Sequence, residues 1–139
     1  MQITGGCFCG ELRYEADITD ALIGVCHCRD CQILSGSAFR TSCAVSPGNF
    51  KVTKGKPSHF DKTGDSGKVR RMLFCGNCGT HLCSMPLEEE EDSFVSIRVA
   101  SADQFSELRP MAEIFCQSKV GWLPEIGDTF QFPRMPGED

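Results

Sequence analysis

The chain has 139 residues, a formal net charge of −5 and a pI of about 5.2, with 40% hydrophobic residues and ten cysteines. At that length one domain spanning residues 1–139 is expected. The acidic balance argues against nucleic-acid binding, which leaves a basic footprint on a domain, and no run approaches the roughly twenty apolar residues needed to cross a bilayer.

The opening MQITGGCFCG has no basic region followed by an apolar run, so no export signal is expected. The cysteines are therefore read as reduced thiols of a cytoplasmic protein rather than as disulfides. In chain order, Leu12, Tyr14 and Ala16 alternate with Glu11, Arg13 and Glu15, the period of a half-buried strand. Cys28 to Leu34 can form a short helical stretch. Phe39, Thr41, Cys43 and Val45 then share one strand face, followed by a turn at Ser46-Pro47-Gly48-Asn49. Strands are predicted at Phe50 to Thr53, Ser58 to Lys62 and Val69 to Phe74, with a turn at Gly64-Asp65-Ser66-Gly67. Further strands are predicted at Thr80 to Met85, at Val95, Ile97 and Val99, and at Glu113 to Gln117, with a helical turn at Ala102 to Leu108. The acidic run from Glu88 to Asp92 reads as a solvated loop. The pattern as a whole predicts a mainly β domain with about eight strands and few short helical turns.

Seven cysteines fall in three clusters: Cys7 and Cys9 in GGCFCG, Cys26, Cys28 and Cys31 in CHCRDC, and Cys75 and Cys78 in CGNCG. A closed structural zinc takes four ligands, whereas a zinc that also meets a substrate takes three and keeps one position open. Seven thiols divide accordingly. Cys75 and Cys78 form a zinc knuckle that needs two more ligands, which Cys7 and Cys9 can supply, giving a closed site of charge about −2. Cys26, Cys28 and Cys31 can converge on a second ion, at about −1, whose open position suits water or a substrate thiol. Zinc there would stabilise the thiolate, the nucleophilic form. Histidine is an ordinary zinc ligand, so His27 or His81 completing the second set is the competing partition. His27 sits between two ligands, and a role facing the substrate or supporting the ligands is favoured over ligation; His59 has a weaker claim. Cys43, Cys83 and Cys116 lie singly in strand patterns and read as small buried hydrophobes.

The order GGCFCGELRYEA, CHCRDCQILSGSAF, FCGNCGTHL, with RPMAEIF and Trp122-Leu123-Pro124 near the end, resembles the glutathione-dependent formaldehyde-activating enzyme family, also called the centromere protein V family. Where many members carry histidine before the Ile-Phe of that tail, this chain carries Glu113. The resemblance implies an Mss4-like twisted β fold, a structural zinc on Cys7, Cys9, Cys75 and Cys78, and a second zinc on Cys26, Cys28 and Cys31. It also implies a carbon-sulfur lyase that forms S-(hydroxymethyl)glutathione from formaldehyde and glutathione, with His27 a possible proton donor. The partners expected are then a small thiol such as glutathione and a small aldehyde, with no nucleic acid and no membrane. Arg29, Arg40, Lys68, Arg70 and Arg71 are the candidates for reading glutathione's carboxylates. Two other readings stand beside this one: a non-enzymatic zinc module that holds a protein partner, and the same scaffold acting on another thiol or aldehyde.

Overall fold

Apolar residues at every second position build most of the strands in the computed structural model, which describes residues 1–138. In chain order the elements are β1 (Gln2–Gly6), β2 (Arg13–Asp17), β3 (Ile23–Cys26), the helix α1 (Arg29–Ser35), β4 (Arg40–Val45), β5 (Phe50–Lys54) and β6 (Ser58–Thr63). They continue with β7 (Val69–Phe74), β8 (His81–Pro86), β9 (Val95–Ile97), β10 (Ala112–Ile114) and β11 (Phe130–Gln131).

Two sheets result. The smaller, in the order β1-β2-β5, is antiparallel; the larger runs β11-β10-β3-β4-β9-β8-β7-β6. In the larger sheet β10 pairs in parallel with both β3 and β11, so the C-terminal segment lies beside the strand that ends in Cys26. The mainly β domain expected from the strand pattern, and the twisted Mss4-like fold implied by the resemblance, are what is found.

Strand alternation separates the two faces of the large sheet. Cys43, Ile97, Cys83 and Leu73 are aligned across β4, β9, β8 and β7, and they pack with Ile3, Tyr14 and Ala16 of the small sheet in one core. On the opposite face the alternate positions are small: Gly24 pairs with Ser42, Ala44 with Ser96, and Ser96 with Ser84. Small side chains cannot fill the space above the sheet, so a cleft of about 450 Å³ opens there.

Several expected elements shift. Val99 is fully buried as predicted, but β9 ends at Ile97 and Val99–Ser101 forms a 3-10 turn. The strand expected at Glu113 to Gln117 is Ala112–Ile114, because Phe115 adopts a left-handed backbone (φ 55°) and turns the chain into a 3-10 segment at Cys116–Ser118. Within Ala102 to Leu108 only Phe105–Glu107 coils.

Candidate metal and active site

Two loops of the same design carry the first set of sulfurs. In the N-terminal loop the Cys7 amide donates to Leu12 O (3.1 Å), the Gly10 amide donates to Cys7 O (3.1 Å), and Gly10 takes φ +83°. In the second, after β7, Cys75 N donates to Thr80 O (2.9 Å), Gly79 N donates to Cys75 O (2.8 Å), and Gly79 takes φ +81°. Both loops therefore need glycine at the left-handed position. Backbone amides point at the sulfurs: Leu12 N lies 3.2 Å from Cys7 Sγ and Cys78 N 3.4 Å from Cys75 Sγ. Phe8 N donates to Thr80 Oγ1 (3.1 Å) and ties the loops together.

The four sulfurs of Cys7, Cys9, Cys75 and Cys78 lie within 4.8 Å of one another. Sγ of Cys9 is 3.6 Å from that of Cys7 and 3.7 Å from that of Cys75. Hydrogen bonding from Thr80, through its side chain and its backbone, lowers the Cys78 thiol to about 5. A soft, tetrahedral ion fits such a donor set. The group could hold a metal ion.

The second set is built where β3 runs into α1. Cys26 is the last residue of the strand, Cys28 caps the helix by accepting the Cys31 amide on its sulfur (3.3 Å), and Cys31 follows in the first turn, almost fully buried. Side chains on the helix fasten this corner. Gln32 Nε2 donates to His27 O (3.0 Å) and to Ser118 O (3.2 Å), and Lys62 Nζ meets Asp30 at 2.9 Å. Here too the sulfurs lie within 4.8 Å of one another, and no fourth His, Cys, Asp or Glu joins them among the described residues. Hydrogen bonds from the Cys26 and Cys31 thiols, helped by the Cys31 amide and the Arg40 charge, outweigh burial and bring Cys28 down to about 2. Cys26 is raised in turn, chiefly because it donates to Cys28. The trio thus holds a thiolate readily, the form a metal binds. Cys26 and Cys31 line the cleft above the small-residue face of the large sheet.

The histidines stand outside both sulfur sets. His81 stacks on Phe74 with ring centroids 5.8 Å apart, and His59 lies on β6. His27 is fully buried: its Nε2 donates to Glu113 Oε1 (2.7 Å), and its ring meets Phe39 edge-on. Glu113 is equally buried and is bonded further by Thr129 Oγ1 and by Lys119 Nζ (3.5 Å). The departure from the family pattern at 113 therefore falls at an internal pair, out of reach of a solvent-borne substrate. Cys116 joins this group; half-buried, its thiol donates to Glu113 O (3.6 Å). Cys43 and Cys83 are core residues.

Of the basic candidates, Arg71 is taken up by Asp61 (2.9 and 3.1 Å), and Arg29 and Lys68 are exposed. Arg40 and Arg70 line the cleft. A third arginine there, Arg98, was not among them; it lies between the buried Ile97 and Val99, an alternation that reads as an outward, solvated charge.

No helix among the described residues is long and apolar enough to cross a membrane. No curated protein is significantly similar to the chain in sequence. A crystal structure of a Rhodobacter sphaeroides protein superposes with a TM-score of 0.53 at 14% identity, covering 93% of this chain and 98% of that one, a likeness of fold alone. Residues 2–118 match the sequence profile of the family described as glutathione-dependent formaldehyde-activating enzyme, a stretch that contains both sulfur sets. The chain belongs to the glutathione-dependent formaldehyde-activating enzyme family.

Proposed function

We propose that this protein is a zinc-dependent carbon-sulfur lyase that adds the thiol of glutathione, or of a related molecule, to formaldehyde or another small aldehyde. The observation that carries the reading is the convergence of Cys26, Cys28 and Cys31, with no fourth protein donor among the described residues, beside a cleft that Cys26 and Cys31 line. Cys26, Cys28 and Cys31 would hold a zinc ion, which would supply the Lewis acidity that lowers the pKa of a substrate thiol. In the reaction the substrate sulfur attacks the aldehyde carbon, a C–S bond forms, and the carbonyl π pair moves to oxygen, which takes up the proton the thiol lost.

The chain's own residues then have separate tasks. Cys7, Cys9, Cys75 and Cys78 would hold a structural zinc, tying the N-terminal loop to the loop after β7. His27, buried and paired with Glu113, serves better as a positioning residue for the ligands on either side of it than as the proton donor suggested by its place in the motif. The cleft brings thiol and aldehyde together, which matters because placement alone accelerates a bimolecular addition. Ten free cysteines fit a reducing compartment, and the reading locates the protein in the cytoplasm.

The test is the zinc-loaded Cys28→Ser variant, assayed for loss of free thiol with formaldehyde and glutathione. The rate is expected to fall to that of the uncatalysed addition while the fold, by circular dichroism, persists. An unchanged rate would remove the catalytic assignment.

A further inference from the structure

Cys26 and Arg40 stand opposite each other at the end of the β3–β4 ladder, and on the other side of β3 Cys26 is opposite Ile114 of β10. Directly opposed residues of neighbouring strands project from the same face, with Cβ atoms about 5 Å apart. The first sulfur of the trio therefore has a guanidinium group as its cross-strand neighbour, and both line the cleft above the small-residue face.

Four cations line that cleft: Arg40, Lys62, Arg70 and Arg98. Three of them are engaged. Lys62 Nζ meets Asp30 at 2.9 Å, and Arg70 donates to Ser84 O and Oγ (both 3.0 Å). Arg98 donates from Nη1 to Ser42 Oγ (3.2 Å) and Ser96 Oγ (2.9 Å). Arg40 differs: its Nε and Nη1 are buried, and neither has a hydrogen-bond partner among the described residues. Nor is its side chain packing a solid core, since it also lines a neighbouring cavity together with Phe39 and His81.

Buried donors without acceptors carry a free-energy cost that an apolar side chain of similar length would avoid. Such a group calls for an acceptor that arrives in the working state. The addition reaction makes one. As the substrate sulfur attacks the aldehyde carbon, the C–S bond forms, the carbonyl π pair moves to oxygen, and negative charge develops there before a proton arrives. His27, sealed against Glu113, does not reach it.

We propose that Arg40 is the catalytic residue that receives the aldehyde oxygen, donating hydrogen bonds to the carbonyl and then to the alkoxide formed beside Cys26. A guanidinium group keeps its own protons at every working pH, so Arg40 acts by charge and hydrogen bonding. The alkoxide takes up the proton that the thiol released to water. The inference rests on the reading of the three-sulfur site as the place of C–S bond formation. It adds the group that makes the aldehyde electrophilic there.

The test separates the oxygen end of the reaction from the thiol end. Removing one preorganised oxyanion donor costs about a hundredfold in kcat. Zinc-loaded Arg40→Met is expected to lose at least tenfold when the combination of formaldehyde with glutathione is followed by exchange NMR, with KM for glutathione within threefold of the unmodified protein. Independently of turnover, isotopically labelled formate, a one-carbon oxyanion close to the aldehyde in size, is expected to bind the unmodified protein and to bind Arg40→Met at least tenfold more weakly, with Arg70→Gln unaffected. Arg40→Gln repeats both measurements if Arg40→Met does not fold. A smaller loss of kcat, a change in KM beyond threefold, or formate binding that is undetectable or independent of Arg40 overturns the proposal. If the unmodified protein does not accelerate the reaction while formate binding still depends on Arg40, the lyase reading falls and the oxyanion site stands.

Discussion

His27 Nε2 lies 2.7 Å from Glu113 Oε1, and neither side chain is exposed to solvent. The pair joins β3, where the three-sulfur motif begins, to β10, which enters the sheet from the other end of the chain. Because the residues on either side of His27 are Cys26 and Cys28, whatever holds the imidazole also holds the spacing of two sulfurs.

Replacing Glu113 with alanine should therefore cost about 3 kcal/mol, since Lys119 and His27 lose a buried ionic partner. Glu113→Gln keeps a hydrogen-bonding group of the same shape and should cost about 1 kcal/mol. Urea unfolding of the metal-loaded proteins measures both. Metal analysis should show the alanine variant losing metal from the three-sulfur site while the four-sulfur site stays filled. Equal stability of the two variants would mean that the pair does not carry this corner.

The two sulfur sets should respond oppositely to serine substitution. Cys75→Ser opens a group that joins loops far apart in the chain, and metal binding by such sites is linked to folding by on the order of 10 kcal/mol. It should leave little folded protein. Cys31→Ser should fold with near-native circular dichroism and bind one equivalent of zinc fewer. A chelator titration of the unmodified protein should accordingly remove one zinc readily with the fold retained and the other only on unfolding; simultaneous loss of both would contradict the division.

Much of this was legible in the sequence because ligand spacing is a local property. CxC, CxCxxC and CxxC restrict where sulfurs can point whatever the rest of the chain does, and the helix predicted from Cys28 onward is observed at Arg29–Ser35. Strand alternation at Leu12, Tyr14 and Ala16 was equally clear. Less visible was β1, whose Gly5 and Gly6 have low strand propensity and are in place because Tyr14 and Arg13 pair with them. The two-residue β11 depends wholly on β10, a partner supplied by the tertiary fold. Arg98 escaped notice for a similar reason: its burial needs serines from β4 and β9 that no local pattern brings together.

Tyr14, the one tyrosine of the chain, reports on the packing between the sheets. It is 1% exposed and its hydroxyl lies 2.8 Å from Ser101 Oγ. Burial pushes its phenol up to about 12 from an ordinary 10.0, because the tyrosinate would lose its hydration. The folded protein binds this proton more tightly than the unfolded chain, so the contribution is complete below pH 10.0 and is lost as pH rises towards 12. A spectrophotometric titration of the tyrosinate band should show a midpoint near 12, moving to about 10 in denaturant. A midpoint near 10 in the folded protein would show that the ring is not sealed as described.

Gly6 is the last residue of β1 and stands immediately before Cys7, the first cysteine of the four-sulfur set. A Cβ at this position would overlap the Leu12 carbonyl oxygen, the same oxygen that accepts the Cys7 amide. Relief requires the β1–β2 turn to open, which moves Cys7 away from Leu12 N and from the other three sulfurs. Gly6→Ala should thus destabilise the protein by about 3 kcal/mol and weaken metal retention at the four-sulfur site. Gly48→Ala is the control, since nothing lies near its added methyl and its φ is not positive; it should change stability by less than about 0.5 kcal/mol. Chemical unfolding with zinc present in excess compares the two. If Gly6→Ala unfolds within that margin of the control, the turn between β1 and β2 has room that the backbone contact denies, and the rigidity ascribed to the Cys7 loop is wrong.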